Sequence, residues 1–272
     1  MAKLTLLIAT QRSGSTLLRS DIQDLGGMGV PGEHLMPLIR KDKKAFKQGG
    51  DLTVSEQDVI DLIAKKGGDD NSPDVYGLKL MVSYADHVNW MLGGEKETHP
   101  VQAAQNVIDW AYRTYDAVNL VSVVRPSILD QSISRAMAKT TGMYHMPQGD
   151  GAYDPYAQTE IDDDLLNFAI WREVPIVINH MRNLQSILDA NQDKVLKIEF
   201  RELTKNQTES NLRIVEHARK FGFEPHKNLA ERKLKKLIKK ERSEQIKQNF
   251  FNFALNQGFG VENFEMIKSI LK

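Results

Sequence analysis

The chain has no cysteine, no surplus of one charge and no long apolar run among its 272 residues. The absence of cysteine excludes disulfides, thiolate catalysis and cysteine-ligated metal sites. Because 36 Lys and Arg residues balance 36 Asp and Glu residues, the chain also lacks the overall basic field typical of nucleic-acid-binding proteins. We therefore expect no nucleic-acid partner, and any bound anion must be held by a local cluster of residues.

The apolar stretch near the N-terminus, residues 3–9, is too short to span a membrane. It also lacks the small-residue cleavage site of a secretory signal. Together with the missing cysteines, this predicts a cytoplasmic protein without a membrane span. Residues 3–9 are instead expected to form a buried strand.

Four short apolar runs predict the strands of a parallel sheet. They cover residues 3–9, 75–81, 119–124 and 194–200. Stretches with helical periodicity separate most of them, as βαβ units require. No internal repeat or linker interrupts this pattern, so we expect a single domain over residues 1–272. The predicted fold is α/β, P-loop-like and three-layered, with a central, mainly parallel sheet flanked by helices and a helical C-terminal region.

The helical periodicity also predicts where the larger helices begin and end. Ser55 and Asp58 form a capping-box start, and Pro175 should kink or split the long helix that contains it. Residues 141–160 show little periodicity and are expected to form a long loop. The predicted helices cover residues 17–25, 55–68, 101–115, 127–139, 162–191, 208–221 and the C-terminal region.

The turn between the first strand and the first helix has the composition of a phosphate-binding loop. It consists of Gln11, Arg12, Ser13, Gly14, Ser15 and Thr16. Gly14 permits backbone conformations that a side chain would forbid, so successive N–H groups and the helix N-terminus can face one anion. Arg12 adds a planar guanidinium fork. The turn is not a Walker A sequence, and an ordinary glycine-containing turn is the alternative.

Two further cations lie at the ends of predicted strands. Lys79 is in the second strand and Arg125 follows the third. Ligands of open α/β sheets lie at the carboxyl ends of the strands, so Arg12, Lys79 and Arg125 are expected to converge on one site. Metal-dependent P-loop enzymes hold magnesium with an acidic residue at such a strand end. Three cations with no evident acid therefore predict a polyanionic ligand that is bound without a metal.

Taken together, these motifs resemble those of sulfotransferases, in particular the bacterial trehalose 2-sulfotransferase-like branch. The resemblance is carried by residues 11–18, 31–33 and 77–81, and by Arg125 with Gln131 and Ser134. It implies an enzyme that moves a sulfuryl group in line from 3′-phosphoadenosine 5′-phosphosulfate (PAPS) to a hydroxyl acceptor and releases adenosine 3′,5′-bisphosphate (PAP). It also implies that the acceptor is a small molecule, and by analogy with this branch the acceptor would be a sugar.

The same resemblance implies which residues hold the nucleotide. Residues 11–16 would bind the 5′-phosphosulfate end of PAPS. Arg125 and Ser134 would bind its 3′-phosphate. The spacing from Arg125 differs by one residue from that of many eukaryotic relatives, so Ser132 competes with Ser134 for this role.

The resemblance further implies a set of catalytic residues. Glu33 falls at the position of the general base, and Lys79 would lie near the transferring sulfuryl group. Arg12 and Lys79 would stabilise the charge that develops during transfer. His34 is a rival base, because its ordinary pKa suits proton transfer near neutral pH. His34 and Leu35 stand where the branch usually has aromatic residues, which leaves the identity of the acceptor open.

Two other functions stay open from the sequence alone. One is a metal-dependent kinase or NTPase of P-loop ancestry, and the other is a non-catalytic nucleotide-binding protein with the same fold. The basic run over residues 231–242 fits the solvated face of an amphipathic helix or a contact to the nucleotide or acceptor. The apolar faces of residues 162–191 and of the C-terminal helices suit a homodimer surface as well as core packing.

Overall fold

The computed structural model describes residues 1–41, 54–96, 98–142, 161–231 and 240–256 of the chain. The chain divides into two compact units. Unit 1 comprises Met1–Val124 and His180–Arg232, and unit 2 comprises Arg125–Asn179 and Lys233–Lys272. The assignment of the whole chain to a single domain stays a prediction.

Unit 1 is built around a four-stranded parallel sheet. Its strands are β1 (Lys3–Ala9), β2 (Val75–Met81), β3 (Ala117–Val124) and β4 (Val195–Glu199). The spatial order is β2-β1-β3-β4, and every pairing between neighbours is parallel. The chain therefore leaves β1 toward one neighbour and later crosses to the other, which makes the carboxyl ends of β1 and β3 the topological switch point of the sheet.

Ten helices are described. Within the described residues, α2 covers residues 36–41. The others are α1 (Ser15–Leu25), α3 (Glu56–Gly67), α4 (Ala85–Met91), α5 (Pro100–Thr114), α6 (Ile128–Thr141), α7 (Asp163–Ala190), α8 (Phe200–Lys205), α9 (Gln207–Lys220) and α10 (Lys240–Asn256), and a 3₁₀ turn covers Val82–Tyr84. Over this part of the chain, no helix is long and apolar enough to cross a membrane.

The fold predicted from the sequence is confirmed: it is α/β, with a central parallel sheet flanked by helices. The first two strands have the predicted bounds, whereas β3 begins two residues earlier than predicted and β4 is shorter at both ends. The capping box at Ser55 is present, since the Ser55 and Asp58 side chains each accept from the other residue's backbone N–H. Of the two effects predicted for Pro175, a split of the helix is wrong, because α7 continues through it, whereas a kink stays a prediction. Most of the predicted loop over residues 141–160 lies outside the described residues.

The core of unit 1 fixes the position of α1 beneath the predicted phosphate-binding turn. Leu18, Ile22 and Leu25 recur at helical spacing on α1 and are fully buried. They pack into one apolar cluster with Leu6 and Ile8 of β1. Because helix and strand are anchored on both sides of the turn, the N-terminus of α1 is held at the carboxyl end of β1.

Unit 2 has its own smaller apolar cluster and a buried ion pair. Leu129, Ile133, Ile170 and Phe250 belong to this cluster. Nearby in the same unit, Arg135 Nε donates to Glu173 Oε2 at 2.6 Å, and both side chains are less than one-tenth exposed. Lys139 also contacts the Glu173 carboxylate. Burial acts to raise the pKa of Glu173, but the hydrogen bonds and charges of Lys139 and Arg135 outweigh it and lower the pKa.

Replacing Glu173 with alanine is expected to lower the free energy of unfolding by about 3 kcal/mol, because Arg135 would stay buried without the carboxylate of Glu173 beside it. Urea unfolding at neutral pH measures this loss. The pKa of Glu173 is lower in the folded than in the unfolded chain, so its contribution is present above the unfolded pKa and is lost as the pH falls through the folded one. The single variant should therefore lose less stability, relative to the parent protein, in acid than at neutral pH.

The control for the Glu173 experiment replaces both Arg135 and Glu173 with leucine. An apolar pair of similar size leaves no buried charge uncompensated, so the double variant should regain most of the lost stability. If the single variant is as stable as the parent protein, the ion pair is not a significant source of stability.

Candidate active site

The turn after β1 adopts the strained backbone expected of an anion-binding loop. Arg12 has a φ of 64° and Gly14 a φ of 101°, so both lie in the left-handed region. For arginine this conformation is unfavourable, and such strain is common where a loop holds a ligand. An added Cβ on Gly14 would overlap the ring of Phe200, which packs against the turn. Gly14 is thus required by its backbone conformation and by its neighbour.

Ser13 stabilises the turn from inside. Its Oγ donates to the Thr10 carbonyl at 2.8 Å, and its N–H donates to the same oxygen at 3.4 Å. Ser13 is fully buried and Ser15 nearly so, whereas Thr16 is exposed. The contacts of Ser13 show a role in shaping the turn, and its predicted contact with the nucleotide stays a prediction.

The N-terminus of α1 has the chemistry of an anion site. Gly14 is the N-cap and supplies no side-chain hydrogen bond, and the first turn contains no acidic residue. The first N–H groups of a helix have no intrahelical acceptor, and together with the helix dipole they favour an anion. The N–H groups of Ser15 and Thr16 are therefore suitably placed to bind a phosphate or sulfate group.

The segment that carries Glu33 lies directly along β2. The N–H of Lys79 donates to the Gly32 carbonyl at 2.8 Å, so the segment adds a backbone hydrogen bond at the outer side of the strand. Gly77 makes this approach possible, because an added Cβ there would overlap the backbone at Val30 and Pro31. The close packing explains why a glycine stands inside the second strand, and it fixes Glu33 beside Lys79.

Glu33 and Lys79 form an ion pair with Nζ and Oε1 2.7 Å apart. Lys79 is only 6% exposed and Glu33 is 33% exposed, so the lysine lies beneath a carboxylate that solvent can reach. Tyr84 lies close by. Burial raises the pKa of its hydroxyl, and the charge and hydrogen bonding of Glu33 raise it further. Two residues predicted for catalysis are therefore in direct contact, with a neutral tyrosine beside them.

A hydrogen bond to the backbone of Val30 holds the His34 side chain in place. Its Nε2 lies 2.8 Å from the Val30 carbonyl, and because a carbonyl only accepts, this nitrogen carries a hydrogen. Burial lowers the pKa of His34, and the charges of Arg19, Lys66 and Lys79 lower it further, against the raising effect of the Val30 carbonyl. The side chain is therefore neutral at physiological pH, with Nδ1 as its basic atom.

A cleft of about 270 Å³ opens beside these groups. Glu33 and His34 contribute to its wall, together with Arg19 of α1, Arg40 of α2 and Lys66 of α3. The three helices thus bring cations to the same opening that exposes the Glu33 carboxylate. A small molecule in this cleft would have a carboxylate, an imidazole and several positive charges within reach.

Arg125 and Ser134, for which the resemblance implies contacts with the 3′-phosphate, belong to unit 2. Arg125 Nη2 lies 3.7 Å from Asp130 Oδ2, and Asp130 also accepts from Lys247 Nζ at 2.8 Å. Ser134 is half-buried on α6. Ser132 is fully buried, and its hydroxyl has no hydrogen-bond partner among the described residues. Of the two serines, Ser134 is the one that solvent reaches.

Several site residues were missed by the sequence reasoning. Tyr84 lies just beyond the end of β2, and strand ends are where ligands bind, so its position was a usable signal. Arg19 lies four residues after Ser15, which places both on one face of α1. Arg40 and Lys66 carry no sequence signal that separates them from other surface cations. Asp130 beside Arg125 was also missed, although it lies in the first turn of α6.

Two further predictions concern the basic run and the absence of a metal. Most of the basic run over residues 231–242 lies outside the described residues. In the ranges that the structure describes, no three His, Asp or Glu side chains are grouped as metal ligands would be. The absence of a metal from the reaction stays a prediction.

Comparison with known proteins gives two findings. A family model described as Stf0 sulphotransferase matches residues 5–250 of the chain. No curated protein matches it. The matched range includes the turn after β1, Glu33, Lys79 and the α6 residues, so the resemblance to sulfotransferases noted in the sequence is confirmed.

Proposed function

We propose, because the chain belongs to the Stf0 sulphotransferase family, that it transfers a sulfuryl group from PAPS to a hydroxyl group of a small acceptor, with carbohydrates as the first class to test. The family match supports a sulfotransferase activity. The observation that carries the finer proposal is the ion pair between Glu33 and Lys79, since it combines a reachable carboxylate with a buried cation.

The turn after β1 is the proposed site for the 5′-phosphosulfate of PAPS. Its support is the left-handed backbone at Arg12 and Gly14 and the N-terminus of α1, which has neither a side-chain cap nor an acidic residue. In the sheet register Lys79 is two residues from the end of β2, and β2 pairs with the strand that leads into the turn. Arg12 and Lys79 are the cations proposed to stabilise negative charge on the sulfuryl group and on the departing phosphate.

Arg125 and Ser134 are the residues proposed for the 3′-phosphate. The guanidinium of Arg125 suits bidentate contact with phosphate, and the partly exposed Ser134 can add a hydroxyl donor. Asp130 lies near Arg125 in unit 2, and its carboxylate would repel a phosphate if no cation offset its charge. Lys247 lies against the same carboxylate and offsets its charge.

Glu33 is the proposed general base. A carboxylate has about four acceptor positions, so contacts with Lys79 and Tyr84 leave capacity to accept the proton of an acceptor hydroxyl. As that proton moves to Glu33, the hydroxyl oxygen bonds to sulfur, and the bond from sulfur to the 5′-phosphate oxygen breaks to leave PAP. Removal of the proton during attack typically accelerates such a reaction by about 10²–10⁴-fold.

PAP is expected to stabilise the protein in the presence of EDTA. At a concentration of about one hundred times its Kd, a ligand adds about 2.7 kcal/mol to the free energy of unfolding. For a chain of this length that gain raises the melting temperature by roughly 5–10 °C. Thermal unfolding with PAP, with ATP, and with each after addition of magnesium measures the effect.

Which nucleotide stabilises the protein distinguishes between the possible functions. Stabilisation by Mg-ATP alone would contradict the proposal and favour a kinase or NTPase. Stabilisation by PAP without transfer of sulfate from PAPS to any acceptor would favour a nucleotide-binding protein that is not an enzyme. Transfer of sulfate in EDTA, followed by mass spectrometry of the acceptor, is the outcome that we expect.

A further inference from the structure

The cleft beside Glu33 has an unusually positive wall for a site that would take a neutral hydroxyl compound. Its cations come from three separate helices: Arg19 from α1, Arg40 from α2 and Lys66 from α3. Of the described residues that line it, Glu33 is the one that is acidic. Since that carboxylate already faces Lys79, it does not balance the three cations.

The three cations also have no acidic partner elsewhere in the described ranges of the chain. Among the residues that the structure describes, no carboxylate lies within ion-pair distance of Arg19, Arg40 or Lys66. The Nε of Arg19 is buried and has no hydrogen-bond partner in that part of the chain. Arg19 also lines the cleft, so its guanidinium group can offer charge-assisted hydrogen bonds to an anionic ligand there.

The positive field reaches the groups that line the cleft. The charges of Arg19 and Lys66 both lower the pKa of His34, after the larger effect of burial. His34 lies next to the proposed base in the chain and lines the same cleft. The field is therefore present where an acceptor would bind.

We propose that the acceptor carries an anionic group, such as a phosphate, sulfate or carboxylate, in addition to the hydroxyl group that receives the sulfuryl group. Guanidinium and ammonium groups bind such anions through charge-assisted hydrogen bonds. The cleft volume of about 270 Å³ lies near the lower end of ligand pockets, which suits an acceptor of roughly monosaccharide size. This inference rests on the proposed sulfotransferase function.

The inference is tested with pairs of acceptors that differ by one anionic group. Glucose and glucose 6-phosphate form one pair, and glycerol and glycerol 3-phosphate form another. Transfer of labelled sulfate from PAPS is measured at increasing acceptor concentration. The phosphorylated member should have a kcat/KM at least roughly tenfold higher, and its KM should rise with ionic strength because salt screens exposed charges.

Charge-removing variants identify the residues that make this selection. Replacing Arg40 and Lys66 together with glutamine should raise the KM of the phosphorylated acceptor by roughly tenfold and leave kcat unchanged. Each exposed cation is expected to contribute about a threefold increase in KM. The matched control replaces their chain neighbours Lys41 and Lys65 with glutamine. Both neighbours are exposed and neither lines the cleft, so this control removes the same charge and should leave the KM unchanged.

The outcomes separate this inference from the proposed function. Equal turnover of neutral and phosphorylated acceptors overturns the inference and leaves the sulfotransferase function intact. Weaker PAP binding in the Arg40 and Lys66 variant, with acceptor KM unchanged, also overturns it, because the cations would then serve the donor. Failure of PAP to stabilise the parent protein counts instead against the proposed function.

A binding measurement decides the case in which no acceptor of the panel is turned over. Protein saturated with PAP is then heated with inorganic phosphate or glucose 6-phosphate, and with glucose as the neutral comparison. Stabilisation by the anions that disappears in the Arg40 and Lys66 variant supports an anion subsite. The same melting temperature with and without the anions overturns it.

Discussion

Replacing Glu33 with glutamine is expected to lower kcat by about 10²–10⁴-fold and to leave donor binding intact. Glutamine has nearly the same shape as glutamate and keeps an oxygen that can accept from Lys79, so the cleft should retain its geometry. What it loses is the ability to take up the proton of the acceptor hydroxyl. The rate of sulfate transfer from PAPS measures the loss, and thermal stabilisation by PAP measures donor binding.

Two control variants make the Glu33 result specific. Glu216 is exposed on α9, so its replacement by glutamine makes the same chemical change far from the cleft in sequence and should leave kcat unchanged. Replacement of His34 by glutamine tests the rival base. If the Glu33 variant turns over at nearly the parent rate and the His34 variant does not, the base is His34.

The sequence predicted the sheet well because buried parallel strands have a strong local signature. The apolar runs of β1 and β2 end where the strands end. The prediction of β4 was less accurate, since it ran on to Phe200, which begins α8 and packs against Gly14 of the turn after β1. An apolar residue at the end of a strand can be buried by tertiary contact without extending the strand, and no local pattern shows this.

The candidate site was only partly predictable for a related reason. The turn residues are contiguous in the chain, and the glycine and hydroxyl pattern indicates an anion site directly. The contact between Glu33 and Lys79 depends on how the segment before Glu33 lies along β2, which Gly77 permits but does not specify. The cations of the cleft come from three helices, and each one alone has the sequence features of a solvated surface residue.

Replacing Gly14 with alanine is expected to weaken PAP binding by about a hundredfold. At a φ of 101° an alanine is strained, and its Cβ would overlap the Phe200 ring, so the turn must shift and carry the α1 N-terminus with it. Anion binding by backbone N–H groups depends on their direction, and a displaced turn loses several hydrogen bonds at once. Titration calorimetry with PAP measures the change in Kd.

The control for Gly14 is the same replacement at Gly222. That glycine also has a positive φ, of 79°, but an added Cβ there would have no neighbour within 4 Å among the described residues. The Gly222 variant should therefore lose about 1 kcal/mol of stability from backbone strain and bind PAP normally. If both variants bind PAP as the parent protein does, the turn after β1 is not the donor site. A loss confined to the Gly14 variant ties donor binding to the geometry of this turn, because the two replacements differ in position and in the Phe200 contact but share the added methyl group.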